Sequence, residues 1–290
     1  MIPAALDLDL LRGFATACRL GSVSRAASTL GRTQSALSMQ LRRLEHLVGR
    51  TLLRRTGCGV TPTPEGELFL GYAVRILALG EEAHARLHGP DLDGVVRIGM
   101  PEEVALAALP SALGRFCRVH PRVRLDVQVE TTAALVPSWR EGALDVLVGA
   151  VSAVPDEPAA TWSVGLLWTC STSYKHDPPS PVDLVAFAEP CTWRGRMLDA
   201  VQASGLGWRI AFTSPSVAAV QAGVENGLGI ALLAPECIRM PSMRLLAHPA
   251  LPDSVTVQYG LFVRRDAVPA VGAVTSALLQ AVLGPTPREV

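Results

Sequence analysis

The first fifty residues contain three short amphipathic segments, and a glycine follows each of them. In every segment apolar residues recur three or four positions apart, as on one face of a helix: Leu8, Leu11, Ala15 and Cys18; Val23, Ala26, Ala27 and Leu30; Leu37, Leu41, Leu44 and Val48. Gly21, Gly31 and Gly49 end the stripes, and Ser22 and Thr33 can cap the second and third helices. Short helices joined by glycine turns predict a helix-turn-helix.

A hairpin is predicted directly after the third helix. Gly57 and Gly59 flank a single residue between two short stretches that favour extended structure. In this place a hairpin forms a wing, and we expect its Arg54 and Arg55 to lie near a phosphate backbone.

A long helix is predicted to follow, from the Thr63-Pro64-Glu65 start signal to about Leu87. Phe69, Ala73, Ile76, Gly80, Ala83 and Leu87 alternate spacings of four and three, the pattern of a coiled-coil seam. Glycines cost such a helix about 1 kcal/mol each against alanine, so a partner helix should stabilise it. We therefore expect a dimer through this helix; the alternative is a helix packed within one chain.

From Gly94 onward short strands alternate with helices, which predicts an α/β region with mostly parallel sheets. The pro-rich stretches at 152–159 and 177–181 are interpreted as loops. The predicted strands are Val95–Gly99, Arg122–Glu130, Asp145–Ala150, Leu166–Cys170, Leu184–Phe187, Arg209–Thr213, Ile230–Leu233 and Val255–Val263.

Charge is unevenly distributed, although basic and acidic residues both number 26. Residues 1–61 hold nine arginines and three acidic residues, whereas the remainder holds 17 basic and 23 acidic residues. We call residues 1–61 the head and the remainder the body. A basic head and an acidic body indicate that only the head binds a polyanion; the alternative is that the charges are scattered by chance.

In a helix-turn-helix the second helix of the motif, here about 34–49, enters the major groove of DNA with its N-terminal residues on base edges. Gln can bond adenine twice, Ser can reach a base or a phosphate, and arginines suit phosphates. Ser22 and Thr33 can cap and contact phosphate at once. The predicted DNA-binding residues are Ser22, Ser24, Arg32, Thr33, Gln34, Ser35, Ser38, Arg42, Arg54 and Arg55.

The head resembles the LysR family of transcriptional regulators over about 60 contiguous residues, which is more specific than a generic helix-turn-helix. Many family members have proline after the recognition glutamine, where this chain has Ser35, so the operator sequence cannot be carried over. The residues that carry the resemblance are Leu11, Phe14, Gly21-Ser22, Ala26-Ala27, Leu30, Gln34-Ser35-Ala36-Leu37-Ser38, Gln40-Leu41, Leu44-Glu45, Gly49, Leu52-Leu53, Arg55 and Thr61-Pro62-Thr63-Pro64-Glu65-Gly66.

The resemblance implies a winged helix-turn-helix over 1–62, a dimerising linker helix over 63–89 and an effector domain over 93–290. That domain would be two-lobed and similar to type 2 periplasmic-binding proteins, with lobe I at about 93–163 and 264–290 and lobe II at about 164–263. A homotetramer is implied, as are double-stranded promoter DNA, a small-molecule effector and RNA polymerase as partners.

The family's effector lies between the lobes, so loops after strand ends are the candidate contacts. Their hydroxyls suit a carboxylate, or they only cap helices. Glu102 and Glu103 would repel an anion unless they are solvent-facing residues of a helix's first turn. The predicted effector contacts are Pro101, Glu102, Thr131, Thr132, Thr213, Ser214 and Ser216.

Parts of the body also resemble the subgroup that includes the LrhA, HexA and PecT regulators. The stretches are Met100–Glu103, Glu189–Cys191, Trp208–Ser216 and Gly227–Gly229. This resemblance does not identify a ligand.

The six cysteines form no CxxC pair and lie at no zinc-ligand spacing from histidine, so we expect no metal or cofactor. Cys191 could suggest a peroxide sensor, but no second cysteine lies within the next dozen residues, and an inert thiol is favoured.

A solute receptor and an enzyme are the two rival functions. An extracellular solute receptor would carry a signal sequence, which the first residues do not resemble, and it would have no helix-turn-helix head. No GxSxG, HExxH, P-loop or strand-linked GxGxxG motif indicates an enzyme. No apolar run reaches the length of about 18 residues that spans a membrane. The expectation is a cytoplasmic regulator that does not contact the membrane.

Overall fold

The computed structural model describes residues 6–57, 59–106, 109–175, 181–264 and 268–283. The chain divides between Pro90 and Asp91 into two compact units. Each unit is built around its own apolar core.

The first unit begins with three helices, α1 (Leu8–Leu20), α2 (Val23–Thr29) and α3 (Gln34–Val48). Asp7, Ser22 and Thr33 cap them, because each side chain accepts a hydrogen bond from a backbone N–H in the helix's first turn. Gly21 and Gly49 adopt the left-handed conformation that ends a helix, with φ of 60° and 68°. The predicted helix-turn-helix is confirmed, and its core contains Phe14, Leu37 and Leu44.

The predicted wing is confirmed as an antiparallel pair, β1 (Leu53–Thr56) and β2 (Gly59–Pro62). Cys58, the residue between the two predicted turn glycines, lies outside the described residues. Glu45 on α3 holds the start of the wing, since its carboxylate accepts from Leu52 N–H at 2.8 Å and Leu53 N–H at 3.1 Å. Val60 N–H donates to the Gly21 carbonyl at 3.0 Å and holds the second strand against the turn after α1.

The long helix α4 (Pro64–His88) matches the predicted length and is capped by Thr63. Its apolar residues form two faces rather than one seam. Phe69, Ala73 and Leu77 pack into the head's own core, with the Phe69 ring 5.6 Å from that of Phe14. The expectation that a partner chain covers the whole seam is therefore wrong for Phe69 and Ala73, because α1 of the same chain packs against α4 there.

The second apolar face of α4 is exposed within this unit. It comprises Leu68, Tyr72, Ile76, Leu79, Ala83 and Leu87. Their spacings of three and four place them on one stripe of the helix. Ile76, Ala83 and Leu87 of the predicted seam belong to this stripe.

The second unit contains a seven-stranded sheet in the order β10-β6-β11-β5-β3-β4, with β9 also pairing with β6. β7 and β8 form a separate two-stranded parallel sheet, and an isolated parallel bridge joins Leu184 of β7 to Ile230. The strands are β3 (Gly94–Met100), β4 (Val123–Val129), β5 (Val146–Ala150), β6 (Ala160–Ser171), β7 (Val182–Phe187), β8 (Trp208–Ser214), β9 (Ala231–Leu233), β10 (Met243–Leu245) and β11 (Ser254–Val263).

Helices cover these sheets, and two single 3-10 turns lie at Val151–Ala153 and Pro235–Cys237. The helices are α5 (Glu102–Ala105), α6 (Leu109–Val119), α7 (Thr132–Arg140), α8 (Thr192–Ala203), α9 (Val217–Glu225) and α10 (Pro269–Leu283). The loop predicted at 152–159 overlaps the first 3-10 turn, and most of the loop predicted at 177–181 lies outside the described residues.

The expectation of mostly parallel sheets is wrong for the long strands. β3 pairs in parallel with β4 and β5, and β7 pairs in parallel with β8. β6 and β11 instead pair antiparallel with each other and with their other neighbours. Exposed and partly buried residues alternate in the first half of β6, which is typical of an antiparallel strand with one solvated face.

β11 pairs with β6 from Ser254 to Leu261 and with β5 from Tyr259 to Val263. The lobe boundaries at 163/164 and 263/264 stay predictions. Three-residue β10 was not predicted, since its sequence has no alternation to detect. Within the described ranges, no helix combines the length and the hydrophobicity needed to cross a bilayer.

Candidate functional site

The N-terminal half of α3 presents a polar face. Gln34 and Ser35 are exposed, Ser38 is half-buried and Arg42 is exposed one turn further along. The opposite face is formed by the buried Leu37, Leu41 and Leu44. Because the apolar side is fixed in the core, the helix holds these predicted contacts together on its outer side.

Thr33 does more than cap α3. Its hydroxyl accepts from Ala36 N–H at 3.2 Å and lies 3.1 Å from the Ser35 hydroxyl. Both side chains are exposed. Met39 is a neighbour that the sequence analysis did not select, although it is 69% exposed on α3. An apolar side chain in this position can contact a thymine methyl group.

The remaining predicted DNA contacts in the head differ in their surroundings. Arg32 donates to Asp9 at 2.8 Å, so its charge is already paired in the protein. Ser22 accepts from Arg25 N–H at 3.3 Å and acts as a cap. Ser24 is exposed in the first turn of α2. Of these three, Arg32 has the weakest structural support as a phosphate contact.

Both wing arginines are exposed on β1. Arg54 Nε donates to the Thr61 hydroxyl across the hairpin at 3.1 Å, while Arg55 lies opposite Val60 in the register. The hydrogen bond orients the Arg54 stem along the hairpin. The wing thus carries two arginine side chains in the same unit as the polar face of α3.

In the second unit a cavity of about 480 Å³ opens where parallel strands of both lobes end. Residues after β3, β4, β7 and β8 all contribute to its lining, as expected for a ligand site in an α/β protein. Its volume falls in the range of small-molecule sites. Among the predicted effector contacts it is lined by Pro101, Glu102, Thr131, Thr132 and Ser216.

Thr213 and Ser214 do not line this cavity. Both lie within β8, which extends one residue beyond its predicted end and pairs with β7. Ser214 instead accepts from Ser216 N–H at 3.2 Å and shapes the turn into α9. That either residue contacts the effector stays a prediction.

The two threonines have structural roles at the rim. Thr131 caps α7 by accepting from Ala134 N–H at 3.3 Å. Thr132 is buried and accepts from Ala150 N–H at 3.2 Å. Capping, one of the two alternatives considered from the sequence, therefore holds for Thr131.

Glu102 connects the lobes across the cavity. Its Oε2 accepts from Val217 N–H at 2.9 Å, and Ser216 Oγ lies 3.5 Å from its Oε1. Ser216 occupies the N-cap position of α9 without making a capping bond of its own. Glu102 thus caps a helix more than a hundred residues away, where its negative charge also favours the helix dipole.

Glu103 is the innermost carboxylate. The Tyr259 hydroxyl donates to Glu103 Oε1 at 2.5 Å and accepts from Trp193 Nε1 at 3.0 Å. Burial raises the pKa of Glu103 above its ordinary value, because the charged form loses hydration. Burial and the nearby carboxylate likewise raise the pKa of Tyr259, so its phenol stays protonated and remains a donor.

Several lining residues were missed because they are distant in sequence. Tyr259 lies on β11 and Trp193 on α8, and the tertiary fold brings both to the cavity beside Glu103 of α5. Cys191 also lines the cavity, and burial raises the pKa of its thiol. That favours the unreactive thiol form. Within the described ranges no cluster of three His, Cys, Asp or Glu side chains could hold a metal ion.

Two family models match the chain. Residues 8–67 match the bacterial regulatory helix-turn-helix protein of the lysR family, and residues 90–283 match the LysR substrate binding domain. The chain is 36% identical over 254 residues to the HTH-type transcriptional regulator PecT of Dickeya dadantii, covering 86% of this chain and 80% of PecT. It is 34% identical to DgdR of Burkholderia cepacia, covering 86% of this chain and 84% of DgdR.

Solved structures of the family share the fold. Vibrio fischeri DarR, determined in complex with DNA, superimposes with a TM-score of 0.54 at 20% identity, covering 94% of this chain and 98% of DarR. Full-length BenM superimposes with a TM-score of 0.54 at 20% identity, and the match covers 98% of this chain and 100% of BenM. Taken with the capped helix-turn-helix, the wing and the two-lobed cavity, the matches show that the chain belongs to the LysR family of DNA-binding transcriptional regulators.

Proposed function

We propose that the polar face of α3 reads the operator while the wing holds the phosphate backbone. The observation that carries this proposal is that the exposed Gln34, Ser35 and Arg42 and the half-buried Ser38 share one side of a helix whose other side is buried. Gln34 supplies a two-bond contact to adenine, and Ser35 and Ser38 supply shorter hydroxyl contacts. Arg54 and Arg55 neutralise phosphates.

The cavity in the second unit is the proposed effector site. It is enclosed by both lobes, and Glu102 is bonded to Val217 N–H across it. A ligand that binds there better in one arrangement of the lobes than in another shifts the equilibrium between them. That shift would alter the assembly and its contacts with promoter DNA and RNA polymerase.

Self-association is proposed through the exposed apolar stripe of α4, with a second copy of the chain as the occupant. The stripe runs from Leu68 to Leu87 with successive spacings of three or four residues, so it stays on one side of the helix. Exposed apolar rows of this length on a helix mark interaction surfaces. A dimer formed this way, and a tetramer built from two dimers, would hold paired heads for two half-sites.

Ile76→Asp is expected to break that association, because a carboxylate in the middle of the exposed apolar stripe would lose its hydration when a second copy covers it. Size-exclusion chromatography with light scattering should give a species of at most half the wild-type mass. Val74→Asp is the matched control, since Val74 is 51% exposed and Ile76 42% but Val74 lies off the stripe. An Ile76→Asp oligomer of wild-type size would contradict the proposed interface.

The domain limits of 1–62, 63–89 and 93–290 are part of the same proposal. So are a cytoplasmic location and the lack of an enzymatic activity, both of which suit a regulator of transcription. The experiment that tests the function is binding of the full chain to the DNA upstream of its own gene or of a divergent neighbour. Preference for that DNA over an unrelated duplex of equal length is the expected result.

A further inference from the structure

The effector cavity carries negative charge on several sides. Glu102 and Glu103 lie on α5, and Glu130 follows β4 at the rim. Among the residues that the structure describes, its lining contains no lysine, arginine or histidine. A free anion entering the cavity would therefore meet three carboxylates and no basic side chain.

The feature that would most attract an anion is already occupied. The N-terminus of α9 points free N–H groups and a positive helix dipole at the cavity. Glu102 accepts from Val217 N–H at 2.9 Å and lies within 3.5 Å of the Ser216 hydroxyl. The chain thus supplies its own carboxylate to this helix end, and a ligand's carboxylate would have to displace it.

Aromatic rings complete the lining. Trp193 and Tyr259 border the cavity beside Glu103, and Phe187 packs edge-on against Trp193 at a ring distance of 5.6 Å. The negative faces of aromatic rings attract cations, especially where water is excluded. Carboxylates and aromatic rings around one cavity form a lining that suits a positively charged organic group.

We propose that the effector is a small organic cation, a protonated amine whose ammonium group pairs with Glu103 and Glu130. This rests on the proposed use of the cavity as the effector site. The ammonium group offers donors to the carboxylates, and its carbon skeleton packs on Trp193 and Tyr259. A diamine of a few carbons fits about 480 Å³ and can address both carboxylates at once.

The test measures binding of 1,4-diaminobutane, butylamine, 1,4-butanediol and succinate to the full chain by isothermal titration calorimetry. We expect at least one of the amines to bind with a dissociation constant at or below about 1 mM, and the diol and succinate at least tenfold more weakly. Tighter binding of succinate than of either amine overturns the proposal. So does the failure of both amines to bind.

Two substitutions locate the ammonium group. Glu130→Gln and Glu103→Gln are each expected to weaken amine binding by about tenfold or more, which is the loss of roughly one charge-assisted contact. Asp126→Asn is the matched control, because Asp126 is an exposed acid on β4 that does not line the cavity. Amine binding that is unchanged in both glutamine variants contradicts the assignment.

Ala153→Trp separates this inference from the proposed function. Ala153 lines the cavity, so a large side chain there should fill it, and circular dichroism checks that the variant folds. If succinate binds the wild type and Ala153→Trp abolishes that binding, the cavity is the effector site but the proposal of a cationic effector is wrong. If amine binding persists in Ala153→Trp, the ligand lies elsewhere and the proposed effector site fails with it.

Discussion

A chain with both Gln34→Ala and Arg54→Ala is expected to bind its operator at least about 100-fold more weakly than the wild type, since a bidentate base contact and a phosphate contact are each worth roughly tenfold or more. Both side chains are exposed, so the head should keep its stability. Fluorescence anisotropy with a labelled operator and an unrelated duplex measures the loss.

The single variants should differ in kind. Gln34→Ala should lower the preference for operator over unrelated DNA, whereas Arg54→Ala should weaken binding to both duplexes and reduce the salt slope by about one. Gln128→Ala with Arg115→Ala is the matched control, because the same residue types are exposed or part-exposed on the second unit. Unchanged operator affinity in the head double variant would show that the recognition face is wrongly assigned.

Gly59→Ala is expected to dislodge the wing. Gly59 has a φ of +146°, and a Cβ there would lie 2.0 Å from the Gly21 carbonyl oxygen. The strained backbone alone costs about 1–3 kcal/mol for a residue other than glycine. The clash also opposes the bond from Val60 N–H to the same carbonyl. Operator affinity should fall at least about tenfold if both wing arginines lose their positions.

Gly57→Ala provides the control for that change. Gly57 lies on the same hairpin, and a Cβ there would meet nothing within 4 Å. Its operator affinity and the melting temperature of the head should remain close to the wild-type values. Equal losses in the two variants, or none in Gly59→Ala, would contradict the role given to the wing's contact with the turn after α1.

The head was predictable because local interactions set its boundaries. Ser22, Thr33 and Thr63 bond to backbone groups three residues away, and Gly21 and Gly49 need only their own backbone freedom. The residues that cap or end a helix lie within a few positions of the backbone groups they affect, so a local sequence pattern reveals them. Arg32 shows the limit, because its partner Asp9 lies 23 positions earlier and no local pattern indicates the pair.

The seam of α4 shows a second limit. A spacing of three and four residues predicts an apolar face, but two overlapping faces on one helix give the same signal. Phe69 and Ala73 are used inside the head, and Leu68, Tyr72 and Leu79 form much of the free stripe. Only the packing of α1 against α4 decides which residues remain for a partner.

The cavity depended most on tertiary structure. Glu102 was identified as a cleft residue from its position after a strand, yet its bond to Val217 N–H spans more than a hundred residues. Tyr259 lies on the long antiparallel strand β11 and bonds to Glu103 of α5, 156 positions earlier, and β11 was expected in a mostly parallel sheet. Thr213 and Ser214 lie within β8 and outside the lining, because β8 runs one residue longer than predicted, and their role as effector contacts stays a prediction.

The salt dependence of operator binding by the wild-type chain tests the central claim most directly. Arginines that neutralise phosphates release counterions, so the logarithm of affinity should fall linearly with that of salt, by about 0.9 per phosphate contact. With about six contacts per dimer the loss between 50 and 200 mM salt is on the order of a thousandfold. Binding that does not change with salt, or equal affinity for operator and unrelated DNA, would contradict the account.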